Sequence, residues 1–242
     1  MSTLHNFLFN VYPYICLTVF LMGSLARFDR DQYTWKSDSS QMLRAKQLRW
    51  GSNLFHIGIL FLFFGHTVGL LTPHFIYEPF ITPAQKQLVA VYAGGVAGVV
   101  CFIGLTLLLH RRIFDPRIRL TSHRTDLFIL VILWIQLVLG LITLPFSLGH
   151  SDGSVMLSLS DWAQRILTFR PDASGIVNLD WPYKVHLVLG MTIFLLFPFS
   201  RLVHVWSGFA TVSYIFRPPQ LVRSRRLGLK PNAASKPHGS AR

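Results

Sequence analysis

Five long stretches without a single Asp, Glu, Lys or Arg constrain what this chain can fold into. They cover residues 4–26, 50–77, 87–110, 127–151 and 185–200, and the last continues past Arg201 to residue 216. Because a helix needs about 20 predominantly apolar residues to cross a bilayer, each stretch predicts one transmembrane span. Barrel strands would alternate apolar and polar residues, whereas residues 57–64 form an unbroken apolar run. The sequence therefore predicts an all-α integral membrane protein with five transmembrane helices within residues 1–216.

The positive charge of the chain lies between and after these stretches. The sequence holds 23 Lys and Arg against 10 Asp and Glu, which gives a formal net charge of +13. Because the basic residues are grouped in a few blocks beside long apolar runs, the charge indicates a protein at a lipid bilayer and not one that binds nucleic acid. Residues 217–242 are rich in Pro, Ser, Lys and Arg and predict a basic, partly disordered C-terminal tail.

Basic residues are distributed unequally between the two sides of the predicted bundle. One side carries Arg27, Arg30, Lys36, Arg44, Lys46, Arg49, Arg111, Arg112, Arg117, Arg119, Arg124 and seven more in the tail. The other side carries Lys86, Arg165, Arg170 and Lys184. Since basic loops stay in the cytoplasm, the N-terminus is predicted outside and the C-terminus inside. The basic loops fit attraction to anionic lipids and docking of a cytoplasmic partner equally well.

Four histidines lie inside the second and fifth predicted spans. Ionisable side chains within membrane helices usually mark a functional site, although a histidine can also serve interhelical hydrogen bonding. The two spans run in opposite directions, so His66 is predicted level with His186, and His56 level with His204. Two imidazole pairs at two depths suit haem irons that each take one histidine from either side.

The spacing of the histidines is unequal in the two spans. Ten helical residues from His56 to His66 rise roughly 15 Å, and eighteen from His186 to His204 rise roughly 27 Å. In one continuous helix the latter two would share a face, and the two irons would lie about 21 Å apart. Tilted helices or a kink at Pro198 would absorb the mismatch. Four glycines near the ligands fit either a close-lying macrocycle or ordinary helix packing, namely Gly58, Gly65, Gly69 and Gly190.

Other roles for these histidines fit the sequence less well. A zinc or copper site needs its ligands in one cluster, whereas the predicted pairs lie at two depths. A proton relay needs acidic residues beside the histidines, and the five stretches contain none. Covalent haem attachment needs Cys-x-x-Cys-His, which is absent from the sequence. The sequence therefore predicts two non-covalently bound b-type haems.

Several motifs resemble those of one known family. They include Tyr12-Pro13-Tyr14, Gln32-Tyr33-Thr34-Trp35, Ser39-Ser40-Gln41-Met42-Leu43, Asn53-Leu54-Phe55-His56, Gly65-His66, His186-Leu187-Val188-Leu189-Gly190 and Phe197-Pro198-Phe199-Ser200-Arg201-Leu202-Val203-His204. With these motifs the chain resembles the gamma subunit, or cytochrome b subunit, of bacterial membrane-bound respiratory nitrate reductases. The resemblance extends to about residue 225, and the tail beyond residue 227 departs from it.

The resemblance implies a specific set of roles. His66 and His186 would hold a distal haem b, and His56 and His204 a proximal one. Lys86 would take part in the binding of membrane quinol, which is ubiquinol or menaquinol, at the outer side. Electrons would leave to an iron–sulfur beta subunit, and nitrate would be reduced at molybdenum in an alpha subunit, not in this chain. The expected location is the bacterial inner membrane, which the chain would cross several times.

Three basic residues near the span ends have two interpretations each. Arg201 lies one turn before His204 and could contact a haem propionate, because Arg meets carboxylates bidentately, and Arg112 is a further candidate for that role. Alternatively, both could be interfacial charges that set topology. Lys86 is the one Lys or Arg between residues 50 and 110, and it could bind quinol or simply extend toward the interface.

Two other functions compete with that of the nitrate reductase subunit. One is a dihaem cytochrome b that serves another quinone-linked oxidoreductase, such as a hydrogenase. The other is a membrane anchor or transporter without redox chemistry. Bound haem would exclude the anchor, and the identity of the partner proteins would separate the two cytochromes.

Overall fold

The computed structural model describes residues 2–30, 45–150 and 152–206, and every regular element in this part of the chain is helical. The helices are α1 (Thr3–Arg30, in which Phe7–Val11 forms a π-helical turn), α2 (Ala45–Leu71), α3 (His74–Tyr77), α4 (Pro83–Phe114), α5 (Pro116–Thr121), α6 (Arg124–Gly149), α7 (Ser154–Leu167), α8 (Ser174–Val177) and α9 (Trp181–Leu196). Two 3₁₀ turns follow, Phe197–Phe199 and Arg201–Val203. The predicted boundary between residues 216 and 217 lies outside the described residues.

The prediction of five helices able to span a membrane is confirmed. α1, α2, α4, α6 and the segment Trp181–Phe199 are long and apolar enough to cross a bilayer. Large apolar side chains such as Phe61, Phe64 and Val96 point away from the protein interior, as expected for surfaces that face lipid. Within these helices the backbone hydrogen bonds are satisfied locally, which is a requirement for crossing hydrocarbon.

The second span ends earlier than the apolar stretch suggested. α2 stops at Leu71, and Pro73 adopts an extended conformation (φ −59°, ψ 148°) before the short helix α3 begins. Proline disfavours helical conformation in the residue before it and lacks an N–H for the helical ladder. The segment that includes Tyr77 therefore leaves the axis of α2 and covers the start of α4.

The fifth span is not a continuous helix, so the prediction that His186 and His204 share one helical face is wrong. α9 ends at Leu196, and Ser200 is extended (φ −120°, ψ 175°) between the two 3₁₀ turns. Residues 197–203 are not α-helical, so the helical rise of about 27 Å does not apply between His186 and His204. The iron separation of about 21 Å, which was calculated from that rise, does not apply either. The break lies at Pro198, the position where the sequence predicts a kink.

α1 stabilises this break from the side. The Arg27 guanidinium donates to the carbonyl oxygens of Pro198 at 2.7 Å and Ser200 at 2.8 Å. Carbonyls freed at a helix end need such donors. Gly23 lies against the Pro198 ring, where a Cβ atom would come within 2.8 Å of Cγ. The first span thus holds the non-helical segment that leads to His204.

The spans pack in the order α2, α4, α6, α9 and α1. α2 and α4 are in backbone contact, because a Cβ on Gly104 would lie 2.3 Å from the Phe55 nitrogen and one on Gly58 would lie 2.7 Å from the Cys101 nitrogen. Such close approach is the usual role of small residues in membrane helix packing. α2 and α9 do not form one of these extensive contacts in the described part of the chain. They face each other across histidine side chains.

α7 connects the ends of several spans on the side of the loop before α9. The Trp162 indole donates to the Phe9 carbonyl at 2.9 Å, within the π-helical turn of α1. Gln164 donates to the Leu70 carbonyl at the end of α2 at 3.0 Å. Gly153, with φ of +84°, lies directly on Pro83 at the start of α4. The sequence indicated only a loop here, whereas the structure has an amphipathic helix that closes this end of the bundle.

Candidate functional site

The structure brings the four histidines together in two pairs. The first pair is His56 with His204, whose ring centroids are 6.4 Å apart at an interplanar angle of 73°. The second pair is His66 with His186, whose centroids are 6.3 Å apart at 37°. These are the partners that the antiparallel order of the spans predicts. Because His56 and His66 are ten residues apart in α2, the pairs lie at different depths along the helix, roughly 15 Å apart.

The separation within each pair fits one metal ion between two imidazoles. Two ring nitrogens that bind one iron from opposite sides, each at about 2 Å, leave the ring centres roughly 6 Å apart. A direct hydrogen bond between the two rings would bring the centroids closer than this. The two pairs match this geometry almost equally, although their ring planes are inclined differently.

All four imidazoles have the same hydrogen-bonding pattern. Each Nδ1 lies within 2.6–3.1 Å of a backbone carbonyl oxygen. The acceptors are Ser52 for His56, Leu62 for His66, Gln136 for His186 and Arg201 for His204. A carbonyl can only accept, so Nδ1 carries the proton and the Nε2 lone pair is available. This is the tautomer that metal-binding histidines adopt, with the second nitrogen held by an outer hydrogen bond.

Two of the four glycines near the ligands, Gly65 and Gly69, have no protein atoms packed against them in the described part of the chain. A Cβ atom on Gly65 or on Gly69 would meet no protein atom within 4 Å among the described residues. Neither position therefore serves close helix packing in the described part of the chain. Gly58 and Gly190 behave differently, because a Cβ there would meet Cys101 at 2.6 Å and the Gln136 amide at 3.1 Å. For these two, the helix-packing interpretation is the one that the structure supports.

Gln136 is a site residue that the sequence analysis missed. Its backbone oxygen accepts the His186 Nδ1–H at 3.1 Å, and its side-chain amide donates to the His186 carbonyl at 3.0 Å. The one signal in the sequence is an amide side chain in the middle of the apolar stretch 127–151. Polar side chains at such positions commonly join neighbouring membrane helices.

Lys86 does not extend to the interface as an ordinary interfacial lysine would. Its side chain is buried in the first turns of α4, whose N-terminus is capped by Thr82 and Gln85. The Nζ atom lies 3.7 Å from the centre of the Tyr77 ring, a cation–π contact. Neither Nζ nor the Tyr77 hydroxyl has a hydrogen-bond partner among the described residues. Because a buried ammonium without a partner is costly, this arrangement favours a functional role.

Arg112 and Arg201 meet at one carboxylate. The Nη1 atoms of Arg112 and Arg201 lie 3.1 Å and 3.6 Å from Oδ2 of Asp126, and all three side chains are largely buried. Asp126 lies in the first turn of α6, where the helix dipole favours a negative charge. The backbone of Arg201 also accepts the His204 Nδ1–H. Two guanidinium groups and one carboxylate therefore lie together beside the first pair.

Comparisons with known proteins point to one family. The family described as nitrate reductase gamma subunit matches residues 5–225. The chain is 52% identical over 226 residues to respiratory nitrate reductase 1 gamma chain of Escherichia coli (strain K12), which covers 93% of this chain and 100% of that protein. It is 53% identical over 224 residues to respiratory nitrate reductase 2 gamma chain of the same organism, which covers 92% of this chain and 98% of that protein. It is 36% identical over 212 residues to nitrate reductase gamma chain of Bacillus subtilis (strain 168), with 86% and 95% covered.

Proposed function

The chain belongs to the nitrate reductase gamma subunit family, and from that premise we propose that it is a dihaem cytochrome b that oxidises membrane quinol. The observation that carries the proposal is the pair of facing imidazoles at each of two depths, all four with Nδ1 already hydrogen-bonded. A membrane anchor without redox chemistry would not need two such pairs in its helices.

Each histidine pair would hold one b haem. His66 and His186 would bind the distal haem on the outer side, and His56 and His204 the proximal haem on the cytoplasmic side. When bound, the two haems would supply one-electron transfer from the quinol site toward the iron–sulfur beta subunit. The protein contributes neutral imidazoles of one defined tautomer, and the carbonyl acceptors keep the ring planes from rotating freely.

Arg112 and Arg201 would bind a propionate of the proximal haem. Their guanidinium groups converge on the carboxylate of Asp126, at the end of the bundle that carries His204. A propionate matches the planar, two-pronged donor geometry of arginine. Asp126 would then keep the two guanidinium groups in position before the anion is present.

Lys86 would bind quinol at the outer end of the bundle. The buried ammonium can donate a hydrogen bond to a quinol oxygen and favour the anion as the proton leaves. The contact with the Tyr77 ring would hold Nζ in position at the start of α4 while the ammonium donates to the quinol oxygen. With the N-terminus outside, the protons would be released outside while the electrons move inward. The subunit would thereby contribute to the proton-motive force.

The proposed partners follow from the same family. They are an iron–sulfur beta subunit and a molybdenum-containing alpha subunit at the cytoplasmic face, where the arginine-rich segments lie. The complex would support anaerobic nitrate respiration in the bacterial inner membrane, with nitrate reduced in the alpha subunit.

The test is purification of the intact complex in mild detergent. Two b haems per chain, co-purification with molybdenum and iron–sulfur proteins, and nitrate reduction driven by decylubiquinol or menadiol are the expected results. Two haems with a hydrogenase as the partner would instead establish the competing cytochrome. A chain that contains no haem in the intact complex would leave the non-redox anchor as its function.

A further inference from the structure

We propose that Gln136 is the positioning residue for His186 and thereby sets the properties of the distal haem independently of the proximal one. The proposal rests on the proposed haem function and goes beyond it. It concerns how one ligand is oriented, and no step of quinol oxidation enters it.

Gln136 and His186 form a reciprocal clamp between α6 and α9. The His186 Nδ1–H donates to the Gln136 carbonyl at 3.1 Å, and the Gln136 amide donates to the His186 carbonyl at 3.0 Å. Each residue therefore provides one backbone acceptor and one side-chain donor to the other. Two hydrogen bonds in opposite directions fix both the distance between the helices and the rotation of the imidazole.

A glycine four residues after each partner makes the clamp sterically feasible. A Cβ on Gly140 would lie 3.0 Å from Cε1 of the His186 ring, and a Cβ on Gly190 would lie 3.1 Å from Nε2 of Gln136. Residues four apart occupy the same face of a helix. Each helix thus presents a polar residue and a small residue to the other helix, and the two sets interlock.

His186 differs from the other three ligands in where its Nδ1–H donates. His56 and His66 donate to carbonyls four residues earlier in α2, and His204 donates to Arg201 three residues earlier. These local bonds are independent of a neighbouring span. The orientation of His186 depends on a residue of α6, and therefore on the packing of α6 against α9.

The Gln136 amide also approaches the ligand atom itself. Its nitrogen lies 3.4 Å from Nε2 of His186, so the amide faces the lone pair that would bind iron. Iron would replace this long contact, while the two hydrogen bonds of the clamp do not involve Nε2. The Gln136 Oε1 atom is buried with no partner among the described residues. A buried oxygen without a hydrogen bond is unfavourable. The two hydrogen bonds between Gln136 and His186 offset this cost.

The experiment replaces Gln136 by Met in the intact complex, which preserves length and volume but removes the donor. Electron paramagnetic resonance of the oxidised complex resolves the low-spin signal of each haem, whose largest g value responds to the angle between the ligand planes. The histidine variants described in the Discussion assign each signal to its pair. In Gln136→Met, the g value and midpoint potential of the distal haem are expected to shift or its signal to be lost, while the proximal signal stays at its wild-type position.

Gln47→Met is the matched control, since the Gln47 amide also donates across a helix contact, to the Leu107 carbonyl at 3.4 Å. Neither haem signal is expected to move in this variant. A Gln136→Met complex with both signals unchanged would overturn the proposal, and so would equal shifts of both signals, which would indicate a change in the whole bundle. In either case, two haems in the wild-type complex would still support the proposed function.

Discussion

The two histidine pairs have nearly the same separation but are built by different means. His186 lies within α9 and is oriented by a second span through Gln136, whereas His204 follows a break in the helix and is oriented by the adjacent Arg201. Their partners His56 and His66 lie on one continuous helix, and each donates to the carbonyl oxygen four residues earlier. The difference shows that one ligand geometry can come either from packing between helices or from a local turn.

The charged groups at the two ends of the bundle also differ. Beside the first pair, two arginines and Asp126 form a compact charged group. At the other end of the bundle, Lys86 is buried, contacts the Tyr77 ring and forms no ion pair with a carboxylate among the described residues. A fixed pair of arginines at one carboxylate suits permanent binding of an anionic group, whereas a buried cation with no hydrogen-bond partner among the described residues suits a substrate that comes and goes.

The largest expected effect separates the two pairs outright. His66→Ala and His186→Ala should each remove the distal haem, and His56→Ala and His204→Ala the proximal haem, because a bis-His iron needs both ligands. Optical spectra and haem quantification on the intact complex measure this loss. His150→Ala is the control, since its Nδ1–H donates to the Phe146 carbonyl but the residue belongs to neither pair. Loss of the same haem from His66→Ala and His204→Ala would contradict the pairing.

Removal of the Lys86 ammonium should abolish the reaction with quinol without affecting haem binding. Lys86→Ala is expected to eliminate haem reduction by decylubiquinol while both haems remain bound, because the ammonium that orients the quinol oxygen is gone. Stopped-flow absorbance measures the reduction rate. Lys184→Ala is the control, since that lysine donates to the Val177 carbonyl on the same side of the bundle. Wild-type reduction in Lys86→Ala with both haems present would refute the assignment.

A smaller effect tests the ring that holds Lys86. Tyr77→Leu removes the aromatic face and with it a cation–π contact of about 1 kcal/mol, which corresponds to a roughly fivefold slower reduction by quinol. Tyr77→Phe keeps the ring and should stay close to the wild-type rate. The same stopped-flow assay compares the two variants. Equal rates in Tyr77→Leu and Tyr77→Phe would show that the ring face has no part in positioning Nζ.

The smallest effect concerns the charges beside the first pair. Arg201→Gln should lower the midpoint potential of the proximal haem and Asp126→Asn should raise it, because a nearby positive charge favours the reduced iron. One charge is worth about 1 kcal/mol at this range, or roughly 40 mV for one electron. Redox titration measures both haems, and the distal one should not change. Arg165→Gln, at an exposed ion pair with Asp161, serves as the control. Shifts of equal sign in the two variants would disprove the electrostatic explanation.

The sequence by itself determined the number of spans and the pairing of the histidines. Apolar length is a local property, so five uncharged stretches are sufficient to predict five helices. Once the spans alternate in direction, residues near opposite ends of α2 and of the fifth span must meet as His56 with His204 and His66 with His186. The motifs around these residues were also sufficient to recognise the family.

Only the tertiary structure decided how the ligands and the charged residues are held. The clamp of Gln136 on His186, the meeting of Arg112 and Arg201 at Asp126, and the burial of Lys86 under Tyr77 all join segments that are separate in the sequence. Hydropathy describes each segment alone, so it cannot predict which polar atoms face each other across a helix contact. The break after Leu196 likewise depends on Arg27 in another span, which supplies donors for the carbonyls that the helix leaves free.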